Sequence, residues 1–340
     1  MTPKILATLT LAAASATQAQ PLPTAAPDSV GFSAERLKNI DNFFASEIER
    51  KRVPGAVVAI ARQGKLVYFK AFGVADPAKG TPMATDTIFQ LASMTKIQAA
   101  VGALALTEQG RLPLYSKLSD HFPAFGTAVV GVPAADGKYT TEPQKRPILI
   151  HDLFRHTAGM TYGGRPDGGS PISAQWPSGG AAAQMGTAAQ MTEALAKLPL
   201  VYQPGTVYEY SLSFDVLGAV VEKVSGKTLG GHLADTVWKP LKMTDSTFRP
   251  TEAQLARVAR TFSHNPLDGK PQGIAALQRP PTFDCGGACA FGTMGDYIRF
   301  GQMLLNGGSL DGAQVLSPAT VRLMTSDHLG SAIQNRVANV

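Results

Sequence analysis

The chain is poor in the residues that hold metals and clamp small domains. Of 340 residues only two are cysteine and six histidine, and no histidine pair has a ligand spacing such as His-Glu-x-x-His, so no metal site is indicated. No cofactor is implied either. Basic residues are scattered without a run of about five, which leaves nucleic-acid binding without a footprint. After the N-terminal stretch no run is long and apolar enough to cross a bilayer. The two cysteines, Cys285 and Cys289, flank Gly286-Gly287-Ala288. That spacing is compatible with a local disulfide and equally with two buried thiols.

The first residues read as a secretory signal spanning 1–19. Lys4 lies in a short charged start, Ile5 to Ala14 is apolar, and Thr17-Gln18-Ala19 offers a small-residue cleavage site. The expected destination is a bacterial periplasm or the medium. No cysteine near the cleavage site suggests lipid attachment. The formal charge of +6 includes Lys4, so the remainder carries 6 − 1 = +5, a mild excess that points to no particular partner.

Beyond the leader the pattern is α/β. Ser33 can cap a helix bearing Leu37, Ile40, Phe44 and Ile48, which Pro54-Gly55 ends. Ala56 to Ala61 and Lys65 to Phe72 read as a hairpin turning at Gln63-Gly64. From about residue 88 to 283 helical patterns and long loops dominate, and Met294 to Leu305 and Pro318 to Met324 read as returning helices. Gly163 to Gly186, rich in Gly, Ser, Pro and Ala around Trp176, reads as a plain surface loop, with a substrate-gating loop as the alternative. Asp296 and Arg299 share a helical face and are expected to form a solvated pair or cap.

Within this frame Ser93-Met94-Thr95-Lys96 stands where an apolar helix begins. A serine hydroxyl needs a neighbour to take its proton and donors for the oxyanion formed on attack. A lysine three residues on lies on the same helical face, and a helix start supplies free N–H groups. Ser-x-x-Lys alone recurs by chance roughly once in a chain of this length. The residues after Lys96 add weight, since Ile97, Val101 and Leu104 keep helical spacing and Gly110 closes the segment. A second element, Tyr210, comes after the Pro204-Gly205 turn and a short aromatic strand and precedes a helix bearing Phe214, Leu217, Val221 and Val224 that stops at Gly226. His156 is not taken as a general base, because a histidine in a Thr-Gly turn commonly bonds its own loop.

These features resemble the serine β-lactamase and penicillin-binding-protein superfamily, most closely the class C β-lactamase-like branch with the family VIII carboxylesterases. Val53-Pro54-Gly55-Ala56-Val57-Val58, Asp86-Thr87-Ile88-Phe89, His156-Thr157-Ala158-Gly159-Met160 and Leu304-Leu305-Asn306-Gly307-Gly308 are similar to that family in the same order. The resemblance implies a β-lactamase/transpeptidase-like fold over 20–340, an antiparallel sheet flanked by helices plus a mostly helical domain. It also implies that Ser93 is the acylated nucleophile, Lys96 its partner and Tyr210 a proton carrier.

Two departures accompany it. The lactamases and peptidases of this family carry an asparagine two positions after the motif tyrosine, and here that place holds Leu212. A site lacking that amide discriminates against substrates that need it. Tyr-Ser-Leu instead looks like the esterase branch. The family's third motif, Lys-Thr-Gly or a variant, is absent from Ser331 to Val340, and C-terminal strands of the family sheet are expected to be missing. The chain is then either a fragment or a diverged member. The expectation is an exported serine hydrolase acting on a small-molecule ester or amide, with carboxylic esters favoured and no oligomeric state implied. A D-alanyl-D-alanine carboxypeptidase or β-lactamase is the first alternative. A non-catalytic penicillin- or peptidoglycan-binding module is the second.

Overall fold

The computed structural model describes residues 21–134, 137–164 and 170–335. The leader read at Met1 to Ala19 lies outside the described residues. Helix α1 (Ala34–Glu49) starts where the Ser33 hydroxyl accepts the Arg36 N–H at 3.2 Å. Strands β1 (Gly55–Arg62) and β2 (Lys65–Asp76) follow as an antiparallel hairpin, and β3 (Thr81–Pro82) pairs with β2. At the hairpin tip Gln63 and Gly64 take φ 53° and 73°. Two consecutive left-handed residues match the twist of the paired strands, which is why Gln-Gly can close the turn in two residues. Phe44 of α1 stacks on Phe72 of β2 with ring centroids 5.2 Å apart.

The chain then leaves the sheet through β4 (Ile88–Gln90) and enters α2 (Thr95–Glu108). A strand pair, β5 (Val129–Pro133) and β6 (Tyr139–Pro143), precedes α3 (Ile150–Phe154), α4 (Gly179–Ala182) and α5 (Ala188–Leu195). Next come β7 (Val207–Tyr208), α6 (Ser213–Ser225), α7 (Leu229–Leu233), α8 (Glu252–Leu255) and α9 (Ala275–Gln278). The return runs through β8 (Phe291–Thr293), α10 (Met294–Leu305), the two-residue strands β9 (Ser309–Leu310) and β10 (Ala313–Gln314), α11 (Pro318–Met324) and β11 (Gln334–Asn335). Strand β8 pairs antiparallel with β4, and β11 lies parallel to β7. Among the described residues the β1–β2–β3 sheet has three strands.

Helix α2 is the axis of the main core. Eleven of its 14 residues are buried, so it is covered on most of its circumference rather than amphipathic. Small residues at Ala99, Ala100, Gly102 and Ala103 let α6 and α7 approach closely. Two of its buried side-chain oxygens are bonded across the core: Trp238 Nε1 donates to Gln98 Oε1 at 2.7 Å, and the Ala290 N–H donates to Thr95 Oγ1 at 3.1 Å.

Two sequence readings need correction. Asp296 and Arg299 do not pair with each other and are not solvated; both are buried. Asp296 accepts from the Asp245 N–H and the Ser246 hydroxyl, each at 2.9 Å, while Arg299 donates to Leu241 O at 2.6 Å, to Pro21 O at 2.8 Å and to the Asp311 carboxylate. Burial turns a same-face pair into two separate staples between α10 and the segments around it. Trp176 likewise does not sit amid loose surface chain. It is 3% exposed and its indole N–H donates to Pro199 O at 2.9 Å, which anchors this part of the loop.

Candidate active site

Strand β4 ends at Gln90, and the chain must turn sharply to enter α2. Leu91 N–H donates to Ala290 O at 2.8 Å, and Ala92 takes a left-handed φ of 46°. A non-glycine residue there costs on the order of 1–3 kcal/mol and persists only where its surroundings impose it. The result is a 3-10 turn, Ala92–Met94, that presents Ser93 at the mouth of α2. Ser93 therefore sits in the turn leading into the helix rather than in its first α turn.

Lys96 is 6% exposed and directs its amine back along α2. Its Nζ lies 3.3 Å from Ser93 Oγ, 2.7 Å from Gly287 O and 4.6 Å from the centre of the Tyr210 ring. Tyr210 arrives from the other side, between β7 and α6, and its hydroxyl donates to Ser93 Oγ at 2.8 Å. The three residues singled out by sequence thus converge on one oxygen. No shared secondary element could have shown this for Tyr210, which is 117 residues from Ser93.

His156 braces the tyrosine. It packs 4.6 Å from the Tyr210 ring, and its Nδ1 accepts the Ser211 N–H at 3.2 Å. Burial, helped by the nearby Lys96 charge, pushes its pKa down to about 3. A ring that is neutral and already accepting at Nδ1 is a support, not a base. The turn that carries it is pinned by Asp152, fully buried, which accepts from Arg146 at 2.7 and 2.8 Å and from Thr157 Oγ1 at 2.8 Å.

Sequence reasoning missed Asp215 and the backbone of Gly287. Asp215 lies in the first turn of α6, and its carboxylate accepts the Gly287 N–H at 3.0 Å. Burial pushes its pKa up to about 6, against the pull of Gly287 and Lys96. The available signal was the Gly-Gly pair held between two cysteines. Cys285 and Cys289 form a disulfide, which settles the alternative that their spacing left open. Leu212, at the position of the family's asparagine, is wholly buried at the start of α6 and presents neither a polar group nor exposed surface.

Beside Lys96 an apolar cavity of about 200 Å³ opens, lined by Ile97, Ala100, Leu104, Leu114, Phe154 and Phe214 among others. Among the described residues no group of three or more His, Cys, Asp or Glu could hold a metal ion, and no helix is long and apolar enough to cross a membrane.

Comparison with known proteins places the chain in a family. The Beta-lactamase family model matches residues 40–338. Esterase EstB of Burkholderia gladioli is 32% identical over 294 residues, covering 80% of this chain and 71% of the esterase. The lovastatin esterase of Penicillium rubens is 32% identical over 312 residues, covering 88% of this chain and 75% of that protein. Among solved structures, EstCE1, described as a hydrolase with promiscuous acyltransferase activity, superposes with a TM-score of 0.70 at 26% identity, covering 88% of this chain and 80% of its own. The fold is that of the β-lactamase/transpeptidase-like proteins, with helices and antiparallel sheets in one chain.

Proposed function

The chain is a serine hydrolase of the beta-lactamase family, and on that premise we propose that it cleaves small carboxylic esters through an acyl-enzyme on Ser93. The observation that carries the reading is the double contact on Ser93 Oγ, from Lys96 at 3.3 Å and Tyr210 at 2.8 Å. Ser93 Oγ attacks the ester carbonyl carbon while its proton passes to the Lys96 amine. The Ser93 N–H contributes to the oxyanion hole at the entrance to α2, where the helix dipole favours negative charge. As the tetrahedral adduct collapses, Tyr210 gives its proton to the departing alkoxide and is reprotonated through Lys96. Water then attacks the acyl-enzyme, returns a proton to the same pair and releases the acid.

Esters are favoured over amides of the β-lactam or peptidyl type because Leu212 leaves the site without the amide partner those substrates use. The leader-like start, Met1 to Ala19, supports export to a periplasm or beyond.

The test is covalent. A fluorophosphonate probe is expected to label Ser93 alone, and labelling that persists in Ser93→Ala would sink the assignment. Tyr210→Phe is expected to lower turnover of an aryl ester by about two to four orders of magnitude, the scale of a lost proton carrier. Full activity in that variant would remove Tyr210 from the mechanism. A protein that binds the probe's competitors yet never turns over an ester would be the non-catalytic binding module instead.

A further inference from the structure

The five-residue segment from Cys285 to Cys289 spends its backbone on the nucleophile's neighbours. Gly287 O accepts from Lys96 Nζ at 2.7 Å, and Gly287 N–H donates to Asp215 at 3.0 Å. Ala288 O accepts the Gln90 carboxamide at 3.4 Å, just ahead of the Ala92 turn. Gly286 and Gly287 have no side chains of their own to pack the segment in place. A Cβ on Gly286 would lie 2.4 Å from Phe214 O, and one on Gly287 would lie 2.5 Å from the Asp215 carboxylate. The loop must therefore be bare to approach α6, and bare glycines are the most freely moving backbone available. Its two ends are buried and joined, Cys285 at 2% and Cys289 at 6% exposure, with Cα atoms 5.3 Å apart.

We propose that the Cys285–Cys289 disulfide is a positioning device for Lys96: it holds the Gly287 carbonyl where it aims the amine at Ser93, so that opening the bond detunes acylation. The inference rests on the reading of Lys96 as the partner of Ser93. Reduction by a dithiol breaks the S–S bond, places a hydrogen on each sulfur and leaves the dithiol as its own cyclic disulfide, two electrons passing to the protein. The Gly286-Gly287 pair then regains its backbone freedom. The Gly287 carbonyl no longer holds one position, and Lys96 samples orientations away from Ser93 Oγ. Substrate contacts elsewhere in the cleft are unaffected, so the loss falls on the chemical step. Displacement of a reacting group by about 1 Å costs up to a hundredfold in rate.

The experiment compares the oxidised wild type with Cys285→Ala/Cys289→Ala, using the rate of fluorophosphonate labelling at Ser93 and the steady-state constants for an aryl ester. The expected result is a fall of roughly tenfold to a hundredfold in labelling rate and kcat, with KM kept within about twofold and a cooperative melting transition. Dithiothreitol is expected to slow the wild type and leave the double variant unchanged. Should the double variant not fold, wild type reduced until two thiols titrate takes its place in the same comparison. The proposal is overturned if kcat and the labelling rate stay within about twofold of the oxidised enzyme, or if the unreduced, denatured protein titrates with two free thiols. Failure of the catalytic reading looks different: the probe would then label Ser93→Ala as readily as wild type, whatever the state of the cysteines.

Discussion

Ala92 carries a conformation that its side chain opposes. Its φ of 46° is imposed by the Leu91 bond to Ala290 and by the start of α2, and the turn it makes is what brings Ser93 out of the core. Glycine relieves such a site. Ala92→Gly is expected to raise stability by about 0.5–1 kcal/mol, since a left-handed position favours the residue without a Cβ. Turnover is expected to fall or stay level, because a looser turn holds Ser93 Oγ less firmly between Lys96 and Tyr210. Urea unfolding beside ester kinetics decides it; a destabilised Ala92→Gly protein would mean that the alanine methyl packs usefully and the strain is not there. His156 teaches the same lesson at one residue's remove. A histidine 4.6 Å from Tyr210 looks like a base, yet burial holds it neutral and a backbone N–H occupies its acceptor.

At the scale of elements, α10 is anchored by a buried carboxylate. Burial pushes Asp296 up to about 6, although the Ser246 hydroxyl and the Asp245 N–H both bond one of its oxygens. Its folded pKa thus lies above the ordinary value of about 3.9. The folded state holds the proton more tightly, so the stability Asp296 contributes is full below about pH 4 and is lost as pH rises through 6. Asp296→Asn keeps an oxygen acceptor for both bonds and carries no charge. The stability of the variant relative to wild type is therefore expected to increase from pH 4 to pH 7, by on the order of 1–3 kcal/mol. Urea unfolding of both proteins at the two pH values measures it, and a pH-independent difference would show that the carboxylate is not under strain.

Local signals made these elements legible. Ser33 caps α1, Gln63-Gly64 turns the hairpin, and α10 and α11 span the residues their periodicity marks, because each depends on contacts within a few residues. The nearness of Ser93 to Lys96 was legible for the same reason, although Ser93 sits in the turn before α2 rather than on the helix. What the sequence hid was long-range. Burial separates Asp296 from Arg299, the fold draws Trp176 inward, and Asp215 meets Gly287 across 72 residues. Ile97 keeps helical spacing but is 42% exposed, so periodicity marked the helix without marking which residues it buries.

For the whole molecule the question is which substrate the assembled cleft prefers. Leu212 is buried in the core and the space beside Lys96 is small and apolar. Short-chain aryl esters are expected to be hydrolysed with a kcat/KM roughly a hundredfold or more above that of a chromogenic cephalosporin, in line with the discrimination of sites that lack a required polar partner. Both substrates should be run on one preparation. A cephalosporin turned over as efficiently as the best ester would move the protein to the β-lactamase side of its family.

The pairing of β4 with β8 also sets when the site can exist. Lys96 and the carbonyl that holds it are 191 residues apart, and within the β4–β8 pair Ile88 stands opposite Thr293. Closing a loop of that length is slow, and during synthesis the distant strand leaves the ribosome long after Ser93 has done so. A nascent chain therefore exposes Ser93 well before the segment that holds Lys96 is made. On the proposed reading, a copy in which that segment has not docked lacks the lysine geometry that would arm the serine.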